Sequence, residues 1–546
     1  MKIPIIRHSF NCENISKQTA TGAQSGDNYG KTEKFADIVL DNLLKNVNFD
    51  EFSSALFVGT TVGGLDRSES EYLKAKKTDE IIGKSFLRHE AGEMTNFLAE
   101  KYKFKQHFTI SAACSSGLHA IGLAKKAIEK GAVDFAAAIG SDALCGLTEN
   151  GFGSLMLIDP SGNAHPFDKN RAGIKLGEGA GGVILCSEKF AKTNNLSPEF
   201  YIIGYGSSCD AYHATAPSPN GEGAISAINQ AINEAGISPD KIDWICSHGT
   251  GTLDNDLTET NAYRAVFGEN IPPFMSFKGE IGHTLAASGA IETAMVLNAM
   301  KNGIIPPSAG FTEQDEDIGV SPNTQAIDKQ SKFVLKTSFG FGGNNSAVVI
   351  EMCDVRAYCI RPDVCTLYSG RMQYAPTITQ TVKITKSDLD TMKNLLPSSL
   401  ARRVPTVYQL AYLAAKSVIE SQKKISEATV AQAIICVSAL GCLDETISFL
   451  DKFDETGLGS PKDFVFSTHN SLGGMLAKEF GIKGANFTVC DRSVESALKI
   501  AEILDEKVIL IVEFDDANEF AEKVMQKCGK TRSNSVSFAT AFLYYK

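Results

Sequence analysis

Four short segments of this chain hold residue types that can do chemistry together. In HFTISAACSSGLHAIGLA a strand runs through a turn of small residues into a helix, with Cys114 on the turn. That is the logic of a nucleophile elbow, in which the side chain projects from a sharp bend with a helix N-terminus behind it. Exposed N–H groups there are expected to favour the thiolate and lower the cysteine pKa. Most free cysteines are small core residues, as those in GVILC and IICV are expected to be; the turn sets Cys114 apart. In WICSHGTGTLDNDLTE, His248 directly follows a strand. A histidine there is more often structural than catalytic, but the glycines of Gly249–Thr252 let a ligand approach the backbone, and Thr250 and Thr252 offer hydroxyls. In FMSFKGEIGHTLAASGAIETAM, Lys278 and His283 stand five apart, and Glu292 follows nine residues later on an apolar helix. In KTSFGFGGNNSAVVIEM, Phe339 and Phe341 flank Gly340 in a strand–turn–strand that by itself reads as a hairpin.

The elements that must position these residues read as follows. Residues 53–59, 107–112, 133–140, 181–187, 200–206 and 242–247 have the apolar character of buried strands. Amphipathic helices, such as 116–130 and 222–235, lie between several of them. This predicts a layered α/β fold with a central, largely parallel sheet. At 546 residues, two or three domains are expected. Thirteen cysteines without a C-x-x-C pair argue against a disulfide framework or a zinc site, and no metal is expected. The net charge of −11 argues against nucleic-acid binding. No apolar run reaches the roughly 18 residues of a membrane span, and the opening MKIPIIRHSFNCE turns polar too soon for a secretory signal. A cytoplasmic protein without membrane attachment is therefore expected.

The chain also repeats part of itself. VGGLD around Gly63 returns as LGCLD around Gly441, and LAEKYKFKQHFTI from Leu98 returns as LAKEFGIKGANFTV from Leu476. The offset is 378 in the first pair and 379 by the end of the second, and both copies continue into an apolar helix and a strand. Matched blocks in one order favour a true partial repeat. Three units are expected: 1–195 with Cys114, 196–354 with His248, Lys278 and His283, and 355–546 as a degenerate copy of the first.

Taken together, the four segments resemble the elongating β-ketoacyl-acyl-carrier-protein synthases of the thiolase-fold superfamily, from about residue 53 to 353. SSCDAYHATAPSPNGEGA and PFDKNRAGIKLGEGAGGVIL look like further landmarks of that family. The resemblance implies a layered α-β-α-β-α thiolase-like fold, with a partial thiolase-like α/β module at the C-terminus. It implies that Cys114 accepts the acyl group and that His248 and His283 are the two catalytic histidines. Lys278, also counted as catalytic, would form a buried supporting pair with Glu292. Thr250 and Thr252 would hold the phosphopantetheine arm, and Phe341, with Phe339 nearby, would gate the cysteine. No permanent cofactor is implied, since acyl carrier protein brings the substrates; a homodimer, or a heterodimer with a ketosynthase-like subunit, is expected. A thiolate takes the acyl chain as a thioester. Malonyl thioester then loses carbon dioxide, and two neutral imidazoles would stabilise the enolate, Lys278 disfavouring charge on His283. The backbone N–H groups of Cys114 and Phe341 are the expected oxyanion hole.

The sequence departs from the family pattern in places. The opening strand with its V-T-G-x-G turn is not recognisable, so the first layer is expected to be abbreviated. His165 and Ala172 stand where Arg and Asp are usual, and Asn344-Asn345 where Thr-Asn is usual. In the C-terminal copy Ser493 stands where Cys114 does, with no matching histidine segments, so that copy is read as non-catalytic. Lys74, Lys76, Lys77, Lys101, Lys103 and Lys105 make a candidate docking face, with an ordinary solvated face as the alternative. Two other readings stay open. A thiolase would need a second cysteine near Gly342-Gly343-Asn344, and a coenzyme A-primed synthase would carry Asn in place of His283. A non-catalytic chain-length-factor-like partner would lack the nucleophile. The fused copy tilts the reading toward a specialised polyketide or polyene route over primary fatty-acid synthesis.

Overall fold

The structure is a computed structural model and describes residues 1–13, 30–78, 88–353, 377–423, 430–516, 518–527 and 537–546. Among the described residues, sixteen strands join in one sheet. Strand Ser54–Gly59 lies between Gln106–Ser111 and Phe135–Asp142, parallel to both. Glu178–Cys186 and Ile3–Glu13 continue the sheet antiparallel. Ile3–Glu13 then pairs with Phe200–Cys209, followed by Asn344–Met352 and Phe333–Gly340, all antiparallel. Trp244–Cys246 and Phe274–Met275 close that half in parallel. The sheet is thus mixed, not largely parallel as the sequence suggested. A strand buried on both faces is a continuous apolar run in either direction, so its pattern carries no polarity.

Two helices lie between the halves. Ser116–Glu129 is buried from Ser116 to Ile128, and with Ser288–Lys301 it touches strands of both halves. A helix buried on every side must lie inside the protein. Lys31–Leu44 and Ala91–Tyr102 cover the outer face of the first half, and Glu222–Ala235 and Leu253–Phe267 that of the second. The first layer is not abbreviated in the way the sequence suggested. Ile3–Glu13 is the strand that joins the halves, although Arg7, His8 and Asn11 break its apolar pattern.

The repeat is realised in three dimensions. Strands Phe538–Tyr545, Val508–Asp515, Ala433–Val437 and Asn486–Val489 lie in the same order as Glu178–Cys186, Phe135–Asp142, Ser54–Gly59 and Gln106–Ser111. Helices Leu65–Thr78 and Leu443–Thr456 have equal length and begin 378 residues apart. The turns agree atom for atom: Gly63 N–H donates to Thr60 Oγ1 at 3.0 Å, and Gly441 N–H to Ser438 Oγ at 2.9 Å. Thr60 in turn donates to Asp142, and Ser438 to Asp515. The boundary placed near residue 355 falls outside the described residues. Ser493 is exposed, and its Oγ accepts the Glu495 N–H at a helix start.

The two copies meet edge to edge. Val489 pairs with Ile110 and Thr488 with Ser111, antiparallel, so one continuous core holds Phe108, Ile110 and Leu118 together with Phe487, Val489 and Ile500. Lys76 binds Asp451 and Glu455, and Lys77 binds Asp454, while Lys101 binds Asp37. Much of the candidate docking face is therefore engaged in ion pairs within the chain. The helix face carrying Glu495, Lys499 and Glu502 is exposed and charged.

A chain ending at Met352 would uncover the edge of Gln106–Ser111 and the apolar surface behind it. It is expected to be insoluble or inactive, whereas Ser493→Ala should leave the protein unchanged. A soluble truncated chain with the full-length sedimentation behaviour and rate would contradict this.

Candidate active site

Cys114 sits between Gln106–Ser111 and Ser116–Glu129, as the elbow predicts, and only 8% of its surface is exposed. The bend is built by Ala113, which takes a left-handed φ of +49°, a region disfavoured for a residue with a Cβ. Ser115 and Ser116 hydroxyls donate back to the Ala112 and Ala113 carbonyls and lock the turn. Gly340 presses on it from the opposite half: a Cβ there would lie 2.8 Å from Ala112 O and 3.0 Å from Cys114 N. Ser338 Oγ donates to the Cys114 carbonyl at 3.2 Å.

The expected lowering of the cysteine pKa is not what this surrounding produces. Burial pushes the Cys114 thiol up to about 12, against the opposing pull of the Lys278 ammonium. A helix terminus assists a thiolate that water also reaches; here desolvation outweighs it.

His248 and His283 come together, with ring centroids 5.3 Å apart and planes nearly perpendicular. Burial first, then the positive charge of Lys278, holds both imidazoles well below their ordinary pKa, so both are neutral. The Leu285 N–H donates to His283 Nδ1 at 3.1 Å, which makes Nδ1 the acceptor and leaves the proton on Nε2. Nδ1 of His248 is buried without a hydrogen-bond partner among the described residues. Phe339 lies edge-on to His248 at 5.8 Å.

Lys278 is fully buried and makes the expected pair with Glu292, at 2.6 Å. Its Nζ also donates to the His248 carbonyl at 2.7 Å. The sequence reading missed the third member: Lys336, also fully buried, lies 2.6 Å from the other Glu292 oxygen. Burial disfavours its charge, but Glu292 more than offsets this and holds its pKa above the ordinary value. The signal was present, because a lysine amid the apolar strand FVLKTSFG must find a buried partner. Two acidic residues of the helix after His248 were also missed. Glu259 accepts the His248 and Gly249 N–H groups at 2.8 Å, and Asp256 accepts that of Thr250 at 2.9 Å. They fix the loop in which the Thr250 and Thr252 hydroxyls stand 2.9 Å apart. Asp142 likewise ties the Thr60–Val62 turn to the Ala286 N–H beyond His283.

Phe341 begins a tight turn and packs on Phe152 at 5.6 Å. Apolar residues of the C-terminal copy, Phe449 and Phe464, share a cluster with Phe152, Leu285 and Phe341. Among the described residues, no cluster of acidic, His and Cys side chains suits a metal ion, and no helix is long and apolar enough to cross a membrane.

Two outcomes follow from this geometry. Glu292→Gln leaves two buried ammonium groups without a counter-ion and should cost about 3–5 kcal/mol in urea unfolding, more than Lys336→Met, which keeps the Lys278 pair. Alkylation of Cys114 by iodoacetamide should rise about tenfold per pH unit from roughly pH 7 to 10, as the thiolate fraction grows. Levelling near pH 8 would mean that the helix start, not burial, governs the thiol.

The family model described as Beta-ketoacyl synthase, N-terminal domain, matches residues 31–191, and that of the C-terminal domain matches 200–312. The match thus begins ahead of residue 53, where the resemblance was first seen. The 3-oxoacyl-[acyl-carrier-protein] synthase 2 of Coxiella burnetii is 35% identical over 54% of this chain and 74% of its own length. The putative mitochondrial 3-oxoacyl-[acyl-carrier-protein] synthase of Schizosaccharomyces pombe is 32% identical over 55% and 75%. The ishigamide ketosynthase/chain length factor superposes with a TM-score of 0.59 at 26% identity, over 65% of this chain and 99% of its own. A keto synthase–chain length factor structure reaches a TM-score of 0.73 over 94% of this chain and 69% of its own; at 16% identity it speaks to the fold alone, including the C-terminal copy. The chain belongs to the β-ketoacyl synthase family, with a thiolase-like fold.

Proposed function

We propose that this chain condenses a Cys114-bound acyl group with the two-carbon unit of malonyl-acyl carrier protein, releasing carbon dioxide and 3-oxoacyl-acyl carrier protein. The observation that carries this reading is the pair of neutral imidazoles facing one another over the buried Lys278–Glu292–Lys336 group.

In the first half-reaction the Cys114 sulfur attacks the acyl thioester and the carrier thiol leaves. The thiol proton is lost on one side and regained on the other. The N–H groups of Cys114 and Phe341 serve the tetrahedral oxyanion. In the second, malonyl carboxylate departs as carbon dioxide, and its electron pair becomes an enolate. His283, with its proton on Nε2, donates to the enolate oxygen, and His248 is the second donor. The enolate carbon attacks the acyl thioester and expels the Cys114 thiolate. With its pKa near 12, that thiolate takes a proton from water at neutral pH and returns to the thiol. Thr250 and Thr252 line the approach of the phosphopantetheine arm. This cycle needs no metal or redox cofactor.

The C-terminal copy acts in this reading as a built-in partner without chemistry of its own, since the strand edge at Gln106–Ser111 is taken by Asn486–Val489 of the same chain. The ten described cysteines are all free thiols, which fits a reducing compartment such as the cytoplasm. The alternative of a non-catalytic, chain-length-factor-like protein is disfavoured by the complete set of Cys114, both histidines and Lys278.

Cys114→Ala should abolish condensation with the fold intact, and peptide mass mapping should find the trapped acyl group on Cys114 of the unmodified protein. A label elsewhere, with an active mutant, would remove the assignment. His283→Ala should permit acyl transfer but slow malonyl decarboxylation by about two to three powers of ten, the usual effect of losing one such donor. Single-turnover assays of each half-reaction decide it, and equal losses in both would make His283 a structural residue.

A further inference from the structure

The turn at Gly340–Gly343 is held by atoms from the second half, 196–354, and from the C-terminal copy. Gly342 and Gly343 take φ of +80° and +74°, which glycine accepts without strain. The Gly342 N–H donates to Ala214 O at 2.7 Å, and Gly343 O accepts the Asp210 N–H at 2.8 Å. The Phe341 carbonyl accepts two side-chain amides: Asn344 Nδ2 from its own turn at 3.0 Å, and Asn470 Nδ2 from the C-terminal copy at 2.8 Å. Asn470 is 1% exposed and precedes helix Ser471–Phe480. That helix is pressed against the turn, since a Cβ on Gly474 would lie 2.8 Å from Gly342 Cα. Asn470 Oδ1 is buried and has no partner among the described residues, so the amide is held by the bond from Nδ2 at the cost of a desolvated oxygen.

The repeat sharpens the point. At the offset of 378, Asn470 corresponds to Gly92, and Gly474 to Asn96. The copy that carries the nucleophile has no side chain where the degenerate copy has this amide. Asn470 is therefore a specific feature of the C-terminal copy, aimed at the Gly340–Gly343 turn of the second half.

We propose that Asn470 is a positioning residue for the Cys114 site, acting through the Phe341 carbonyl. Its amide fixes the Phe341–Gly342 peptide and so keeps the turn in register with Gly340, which presses on the elbow, and it makes acyl transfer depend on the docked C-terminal copy. The inference rests on the ketosynthase reading and deepens it, because it assigns the copy a part in the chemistry beyond covering a sheet edge.

The full-length protein is assayed for transfer of an acyl group from an acyl-carrier-protein thioester to Cys114, and separately for malonyl decarboxylation. Asn470→Ala should slow transfer about tenfold, the rate equivalent of one ordinary hydrogen bond, and leave decarboxylation unchanged. Asn470→Asp keeps the shape, but its carboxyl can donate to Phe341 O only when protonated. Its transfer rate relative to the unmodified protein should therefore recover as pH falls from roughly 8 to 6, and that of Asn470→Ala should not. Arg492→Ala removes the Arg492–Glu90 pair between the copies without touching the turn and should leave both rates unchanged. Transfer at the full rate in both Asn470 variants overturns the proposal, as do equal losses in both half-reactions or an Asp variant with no change in pH profile. Should Asn470→Ala not fold, the isosteric Asp variant decides alone. Failure of the unmodified protein to become acylated on Cys114 would instead overturn the ketosynthase reading itself.

Discussion

Glu292 carries the heaviest physical obligation in the molecule. Its carboxylate is fully buried and meets Lys278 on one oxygen and Lys336 on the other, both lysines fully buried too. Burying three charges is tolerated only when geometry and further hydrogen bonds compensate the lost hydration. The compensation reaches outward from here. Lys278 also holds the His248 carbonyl, and the charges of the two lysines, added to burial, keep both imidazoles neutral. A neutral imidazole with its Nδ1 occupied by a backbone N–H can only donate from Nε2, which is what a developing enolate oxygen requires. The electrostatics of the site thus follow from one buried carboxylate shared by strands and helices of the second half.

Cys114 lies under a different constraint. It is placed by the bend at Ala113 and by the close approach of Gly340. Burial makes it a thiol at rest, and a poor one to leave as a thiolate. In the proposed cycle, a thiolate released in this surrounding returns to the thiol as soon as water or a neighbouring donor supplies a proton. The cysteine and the histidines thus lie in two different environments, a buried elbow and a group of buried charges beside the imidazoles.

The C-terminal copy is bound to the catalytic body by the same physics that builds any sheet. An unpaired strand edge must be paired or covered, and Val489 against Ile110 does this within one chain. Charge complements the edge: Lys76 and Lys77 on one copy face Asp451, Asp454 and Glu455 on the other. Two identical helices would present like charges there; divergence of the second copy made the contact favourable. The copies also differ where Ser493 stands in the place of Cys114 and Asn470 in the place of Gly92.

Much of this could be read in the amino-acid sequence. Buried strands appear as apolar runs, the elbow as small residues between strand and helix, and the partial repeat as two matched blocks. Those signals are local, and local periodicity encodes which residues are inside. Local periodicity does not encode direction or partnership. The strands came out mixed where a parallel sheet was expected, because both faces of either kind are apolar. Ile3–Glu13 escaped notice because half-buried Arg7 and His8 interrupt its pattern, yet it joins the two halves. The apolar strand around Lys336 called for a buried partner but could not name it; Glu292 stands 44 residues away in sequence and 2.6 Å away in space. The pKa of Cys114 depended on how completely the second half closes over the elbow, which nothing within HFTISAACSSGLHAIGLA can specify. The types of residue available for chemistry at the site were determined by the sequence itself. Their charge states and the contact between the copies were decided by tertiary structure, because desolvation and hydrogen bonding act between residues that only the fold brings together.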